Sequence, residues 1–75
     1  MITAKELGEN IRREREKAGL SMLELSSITG MDKMRIYHIE NGTKKCNPTF
    51  KTLLRLAEGL DCDPLMFWVD ESQII

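Results

Sequence analysis

Leu7, Ile11 and Ala18 recur at helical spacing and mark the buried stripe of a first helix. Thr3 and Glu6 stand three apart as in a capping box, and Gly19 is a C-terminal stop, so the spacing predicts a helix from about Ala4 to Ala18. Ser21 and Glu24 repeat the start signal for a short second helix, from Met22 to near Thr29. Gly30 supplies the turn, because glycine takes the left-handed conformation that a β-carbon disfavours, and Asp32 is an N-cap for a third helix from Lys33 to Glu40. Asn41-Gly42 closes it. In that helix Ile36 and Ile39 share a face that, with Met31, points into a core, while Lys33, Met34, Tyr37, His38 and Asn41 lie opposite. Asn47-Pro48-Thr49 opens a fourth helix, capped by Thr49 or Asn47, with Phe50, Leu53, Leu54, Leu56 and Ala57 as its mostly buried apolar face and Leu60-Asp61 as its end. Asp63-Pro64 then predicts an N-cap and first-turn proline for a fifth helix through about Val69. The expected class is all-α, with five helices around a central helix-turn-helix.

Composition bounds this picture. Seventy-five residues at 41% hydrophobic content suit one small domain with one modest core, over residues 1–69 with a tail at 70–75, and leave no room for a second ligand-sensing domain. Stability is expected to be marginal unless a partner subunit adds buried surface. No signal peptide and no apolar run of transmembrane length is present, so the expectation is a soluble, cytoplasmic chain, not a membrane protein. Cys46 and Cys62 read as two reduced thiols, and the one histidine makes no zinc-spaced ligand pair, so neither metal nor cofactor is expected.

A net charge of −1 argues at first against nucleic acid, and the distribution answers it. From Lys33 to Arg55 the bases are Lys33, Arg35, Lys44, Lys45, Lys51 and Arg55 against the single acid Glu40, whereas Glu58, Asp61, Asp63, Asp70 and Glu71 follow with no base. Phosphates feel the local face within a Debye length of roughly 8 Å, and overall balance mainly limits affinity for random DNA. A short helix with a mixed cationic, aromatic and polar outer face after a tight turn is what a major-groove reader needs.

Ser21, the small Ser26, Gly30, Ile36, Ile39 and Glu40-Asn41-Gly42, in that order and spacing, resemble the lambda-repressor/Cro-like (Xre) helix-turn-helix family. The resemblance extends upstream through Ile11-Arg12, Arg15 and Gly19-Leu20, and downstream through Asn47-Pro48 and Leu53-Leu54-Arg55-Leu56-Ala57 to Leu65. It implies a bacterial or phage-encoded regulator, nucleoid-associated when bound to double-stranded DNA. Lys33, Met34 and His38 match base-reading positions: Lys33 can donate to guanine or a phosphate, Met34 can pack on a thymine methyl, and His38 can donate to guanine or be a surface histidine with no task. Tyr37 lies between them, with a base, sugar or phosphate in reach. Arg35, Asn41, Thr43, Lys44 and Lys45 match or flank the phosphate-gripping segment, where contacts fix register rather than sequence. The resemblance also implies an Arg15–Glu40 pair, and the chemistry agrees, because an acid ending a DNA-facing helix repels phosphates unless neutralised. Asp61 stands in a left-handed position that the family usually fills with glycine.

Two departures open an alternative. Met22 replaces a glutamine that commonly contacts phosphate, and Leu23 and Ile28 occupy positions usually charged. Either the helix is slightly rotated or neighbouring side chains cover these residues, or Met22, Leu23 and Ile28 form a docking patch for a protein partner, as in an antitoxin-like interaction module. At the other end Leu65, Met66, Phe67, Trp68 and Val69 are more apolar surface than one short helix can bury. The resemblance implies a homodimer there, setting two recognition helices about 34 Å apart on a palindrome; a lid on a monomer core is the other solution. Ile74 and Ile75 either extend that contact or fray. No catalytic set competes: the histidine has no motif-borne nucleophile and no glycine loop cradles phosphate. A repressor that occludes a promoter is the leading expectation.

Overall fold

The first four predicted helices form between the caps that predict them. The computed structural model describes residues 2–43 and 48–70 and consists there of α1 (Ala4–Lys17), α2 (Met22–Thr29), α3 (Lys33–Glu40), α4 (Phe50–Leu60) and a C-terminal 3-10 helix (Pro64–Trp68). Thr3–Glu6 and Ser21–Glu24 are reciprocal capping boxes. The Asp32 carboxylate accepts from the Met34 amide at 2.8 Å and the Thr49 hydroxyl from the Thr52 amide at 3.2 Å. The chain after each α-helix passes through a left-handed residue, Gly19, Gly30, Gly42 and Asp61. At the end of α3 the Gly42 amide donates to Ile39 O at 3.1 Å and the Thr43 amide to His38 O at 3.0 Å, a closed C-terminal cap.

The expected fifth α-helix is instead a 3-10 turn: the Met66 amide bonds to Asp63 O at 2.9 Å, three residues back. A five-residue segment favours the tighter turn, in which every third side chain lies on one edge.

The core is built from Ile11 of α1, Leu25 of α2, Met31 of the turn, Ile36 and Ile39 of α3, the Leu53, Leu56, Ala57 and Leu60 stripe of α4, and Phe67. Helix α1 packs against α3 and the 3-10 helix, while α2 packs against α3 and α4. In the turn the Ser26 hydroxyl donates to Met31 O, and Thr29 bonds both Leu25 O and the Met31 amide, so the chain reverses with its polar groups satisfied.

Three expectations for the core are corrected. Ala18 is exposed, because its stripe runs past the elements that cover α1. Phe50 is 64% exposed and Leu54 also faces outward, because the buried stripe of α4 follows Leu53 at intervals of three, four and seven and leaves both on its flank. Phe67 is fully buried beside Ile11 and Leu56 in the core.

Candidate nucleic-acid interface

Lys33, Met34 and Tyr37 stand on the exposed face of α3, opposite the buried Ile36 and Ile39, and His38 is half-buried beside Tyr37. The two rings meet edge to face with centroids 5.5 Å apart, which limits the rotamers of both. Lys33, Met34 and Tyr37 thus share the outer surface of α3, with His38 at its edge, and the other side of the helix is anchored.

The anchor is a bidentate ion pair. Arg15 donates from Nε to Glu40 Oε2 at 2.7 Å and from Nη2 to Glu40 Oε1 at 3.0 Å, while its Nη1 donates to Leu20 O at 2.9 Å. The side chains are only 10% and 1% exposed, so the carboxylate is withdrawn from the surface that would face phosphates. The hydrogen bonds that Arg15 donates to Glu40 raise its pKa above the ordinary arginine value against the opposing effect of burial, and the guanidinium stays charged.

Gly8 is a contributor that periodicity does not reveal. A β-carbon there would strike the Ile39 and Glu40 carbonyl oxygens and sit 2.7 Å from the Glu40 carbonyl carbon. Gly42 repeats the constraint from the other side, where a β-carbon would lie 2.7 Å from Lys5 Cα. Backbone-to-backbone approach therefore sets how α1 crosses the end of α3, a signal visible in the sequence only as a glycine inside a helical pattern.

The expected phosphate contacts divide. Asn41 is exposed at the helix end, where its Nδ2 donates to Tyr37 O at 2.7 Å, so one amide proton serves the cap. Thr43 follows through its capping amide. Lys44 and Lys45 lie outside the described residues, as does Cys46. Arg35 is exposed on the flank facing α4, where its Nη2 donates to Thr52 Oγ1 at 3.2 Å.

On α2 neighbouring side chains cover Met22 but not Leu23 or Ile28. Met22 is half-buried and packs against the core, so the residue replacing glutamine is turned inward. Leu23 and Ile28 are exposed, five residues apart and roughly 140° around the helix.

At the C-terminal end the five expected interface residues also separate. Leu65 is 71% exposed, and Met66 and Trp68 are exposed beside it, while Phe67 belongs to the core and Val69 is half-buried. With three residues per turn, Leu65 and Trp68 share an outer edge and Pro64 and Phe67 an inner one. Phe50 joins the outer surface, its ring 6.3 Å from that of Trp68. Asn10, a buried polar residue missing from any apolar stripe, holds this segment: its Nδ2 donates to Phe67 O and Val69 O, each at 2.8 Å, and its Oδ1 accepts from Arg13 at 2.7 Å.

Little else resembles reactive chemistry. Burial, reinforced by the nearby Glu14 carboxylate, pushes the Cys62 thiol up and keeps it protonated rather than nucleophilic. Among the described residues no group of three or more His, Cys, Asp or Glu side chains is placed to hold a metal ion, and no helix is long and apolar enough to cross a membrane.

The geometry agrees with comparisons to known proteins. The helix-turn-helix family profile matches residues 11–67. The restriction-modification controller protein C.AhdI from Aeromonas hydrophila superposes with a TM-score of 0.79 at 28% identity, covering 85% of this chain and 94% of that one. A tyrosine-to-phenylalanine mutant of the restriction-modification controller protein C.Esp1396I superposes with a TM-score of 0.76 at 23% identity, over 87% of this chain and 80% of that one, and bears on the fold alone. No curated protein matches the sequence. The family and fold are those of regulators rather than enzymes. A helix-turn-helix match that spans the core from Ile11 to Phe67, on this all-helical fold, places the chain in the lambda-repressor/Cro-like helix-turn-helix family of DNA-binding transcriptional regulators.

Proposed function

We propose that the protein binds a palindromic operator as a homodimer, reads it with the outer face of α3, and regulates transcription by occluding a promoter. The observation that carries this reading is the exposed set Lys33, Met34, Tyr37 and His38 on a helix whose far end is pinned by the buried Arg15–Glu40 pair. Such a helix enters the major groove with little ordering cost, Lys33 and His38 donating to guanine acceptors and Met34 packing on a thymine methyl. Tyr37 contacts an adjacent base or sugar. Asn41, Thr43, Lys44 and Lys45 hold backbone phosphates and set the register.

The dimer forms through Leu65, Met66 and Trp68, joined by Phe50 and Leu54, a set of exposed apolar side chains that one protomer leaves uncovered. Likeness to C.AhdI supports a role as controller of a restriction-modification system in a bacterial cytoplasm.

Selection of bound sequences from a random duplex pool at near-physiological salt tests the reading. An enriched palindrome with half-sites about one helical turn, roughly 34 Å, apart is the expected result; the absence of any enrichment would refute it. Trp68→Ala should shift the protein toward monomer in sedimentation. A native chain that is monomeric at high concentration would remove the interface.

A further inference from the structure

Beside α3, outside the face just described, Arg35 meets Lys51, Thr52 and Arg55 of α4 around a cleft of about 210 Å³ floored by Met31. None of these five lining residues is acidic. Among the described residues, no ion pair engages Arg35, Lys51 or Arg55, although other surface cations are paired, as in Arg12–Glu16 at 3.8 Å and Lys17–Glu14 at 3.4 Å. The cleft is also ordered from within. Arg35 Nη2 donates to Thr52 Oγ1, and that hydroxyl lies 3.0 Å from Thr49 Oγ1, so a chain of hydrogen bonds from the α4 cap holds the guanidinium over the opening.

Three positive charges brought together without a carboxylate repel one another, and the arrangement makes sense as a receptor for an anion. A guanidinium offers paired N–H donors that match two oxygens of a phosphate, and Lys51 supplies a compact charge beside it. We infer that this cleft is a phosphate clamp, which grips a DNA backbone phosphodiester flanking the groove entered by α3. The inference rests on the DNA-binding reading and adds a distinct contact: Arg35, Lys51 and Arg55, positioned by Thr52, act on sequence-independent affinity and on the rotation of α3 about its axis rather than on base choice. It also accounts for binding without the glutamine contact at the start of α2, where Met22 is turned into the core.

The test is a salt titration of duplex binding by the full chain and by Lys51→Gln/Arg55→Gln, both exposed positions whose change leaves the core intact. Each lost phosphate contact should lower the magnitude of the log–log salt slope by about 1 and weaken binding about tenfold on every sequence. Arg12→Gln, on the outer face of α1, should leave the slope unchanged. In parallel, inorganic phosphate titrated into the free protein should shift the NMR signals of the Arg35 and Arg55 Nε–H groups, with the Arg35 shift reduced in Thr52→Val. A salt slope identical in the native chain and the double variant would overturn the clamp and leave the regulator reading standing. A native chain that binds no duplex while phosphate still shifts both arginines would overturn the regulator reading and reassign the cleft to a small anion. No shift with phosphate and no change in slope would overturn both the clamp and the small-anion assignment.

Discussion

Helix α1 holds two regions by opposite means. Through Arg15 it grips the end of α3 with a charged, bidentate, almost fully buried pair, and through Asn10 it grips the C-terminal segment with neutral amide bonds to two backbone carbonyls. The difference follows from what each region must present. An acid at the end of α3 has to be neutralised before that face can approach phosphate, and a planar guanidinium fixes orientation as well as charge. The C-terminal segment carries exposed Leu65, Met66 and Trp68, and holding its backbone by neutral bonds leaves that apolar surface free of charge.

The largest effect should come from breaking the charged tether. Arg15→Ala leaves Glu40 buried and unpaired and should cost about 3 kcal/mol or more, lowering the thermal midpoint by more than about 10 °C. An unchanged midpoint would show that water solvates the pair. Replacing both partners, as in Arg15→Met/Glu40→Leu, should recover most of that stability because no orphan charge remains. Gly8→Ala should come next, at about 2 to 3 kcal/mol, since the new β-carbon meets backbone that can yield only if α1 and α3 move apart. Amide exchange should then rise at the end of α3 rather than in α4.

The neutral tether is expected to be weaker. Asn10→Ala should cost about 1 to 3 kcal/mol and raise exchange in the segment around Phe67, with α3 protected as before. Equal loss of protection in both regions would show that the two tethers are not independent. A smaller change of opposite sign is expected at Asp61, whose φ of 52° suits glycine better. Asp61→Gly should stabilise the fold by about 0.5 kcal/mol, readable as a raised chemical-denaturation midpoint.

The smallest effect concerns acid. The Ser21 amide and hydroxyl hold the Glu24 carboxyl below the usual carboxylate range. Its folded pKa is therefore lower than its unfolded one, and the contribution of this cap is present above the unfolded value and lost as pH falls through the folded value. An NMR titration of Glu24 should place its midpoint below that of an unfolded peptide, and Ser21→Ala, which removes the hydroxyl but keeps the backbone amide, should bring the midpoint only part of the way back up.

Much of the fold was legible because its signals are local. The bounds of α2 and α3 and the end of α1 to within one residue follow from caps and stops a few residues long, and the left-handed Asp61 follows from the resemblance. The Arg15–Glu40 pair was legible through the resemblance and through the charge argument, and the exposed placement of Lys33, Met34 and Tyr37 followed from the opposing isoleucines.

What stayed hidden has one physical cause: periodicity says which residues share a face, and only a neighbouring element says whether that face is covered. Phe50 and Phe67 are both apolar at plausible helical positions, yet Phe50 faces outward and Phe67 sits in the core. In the run from Leu65 to Val69 every residue is apolar, so no period exists to choose between them until three-residue turns point Phe67 inward and Leu65 and Trp68 outward. Asn10 has a polar side chain that no apolar pattern includes, and its role arises from two carbonyls more than fifty residues away. The basic cleft joins Arg35 to residues sixteen to twenty positions later in the chain, Lys51 and Arg55 among them. The sequence by itself determined the helices, their caps and the helix-turn-helix order, since these depend on interactions within a turn or two. The tertiary structure decided which aromatic ring is core, how closely α1 crosses α3 and which cations converge, because each depends on where separate helices meet.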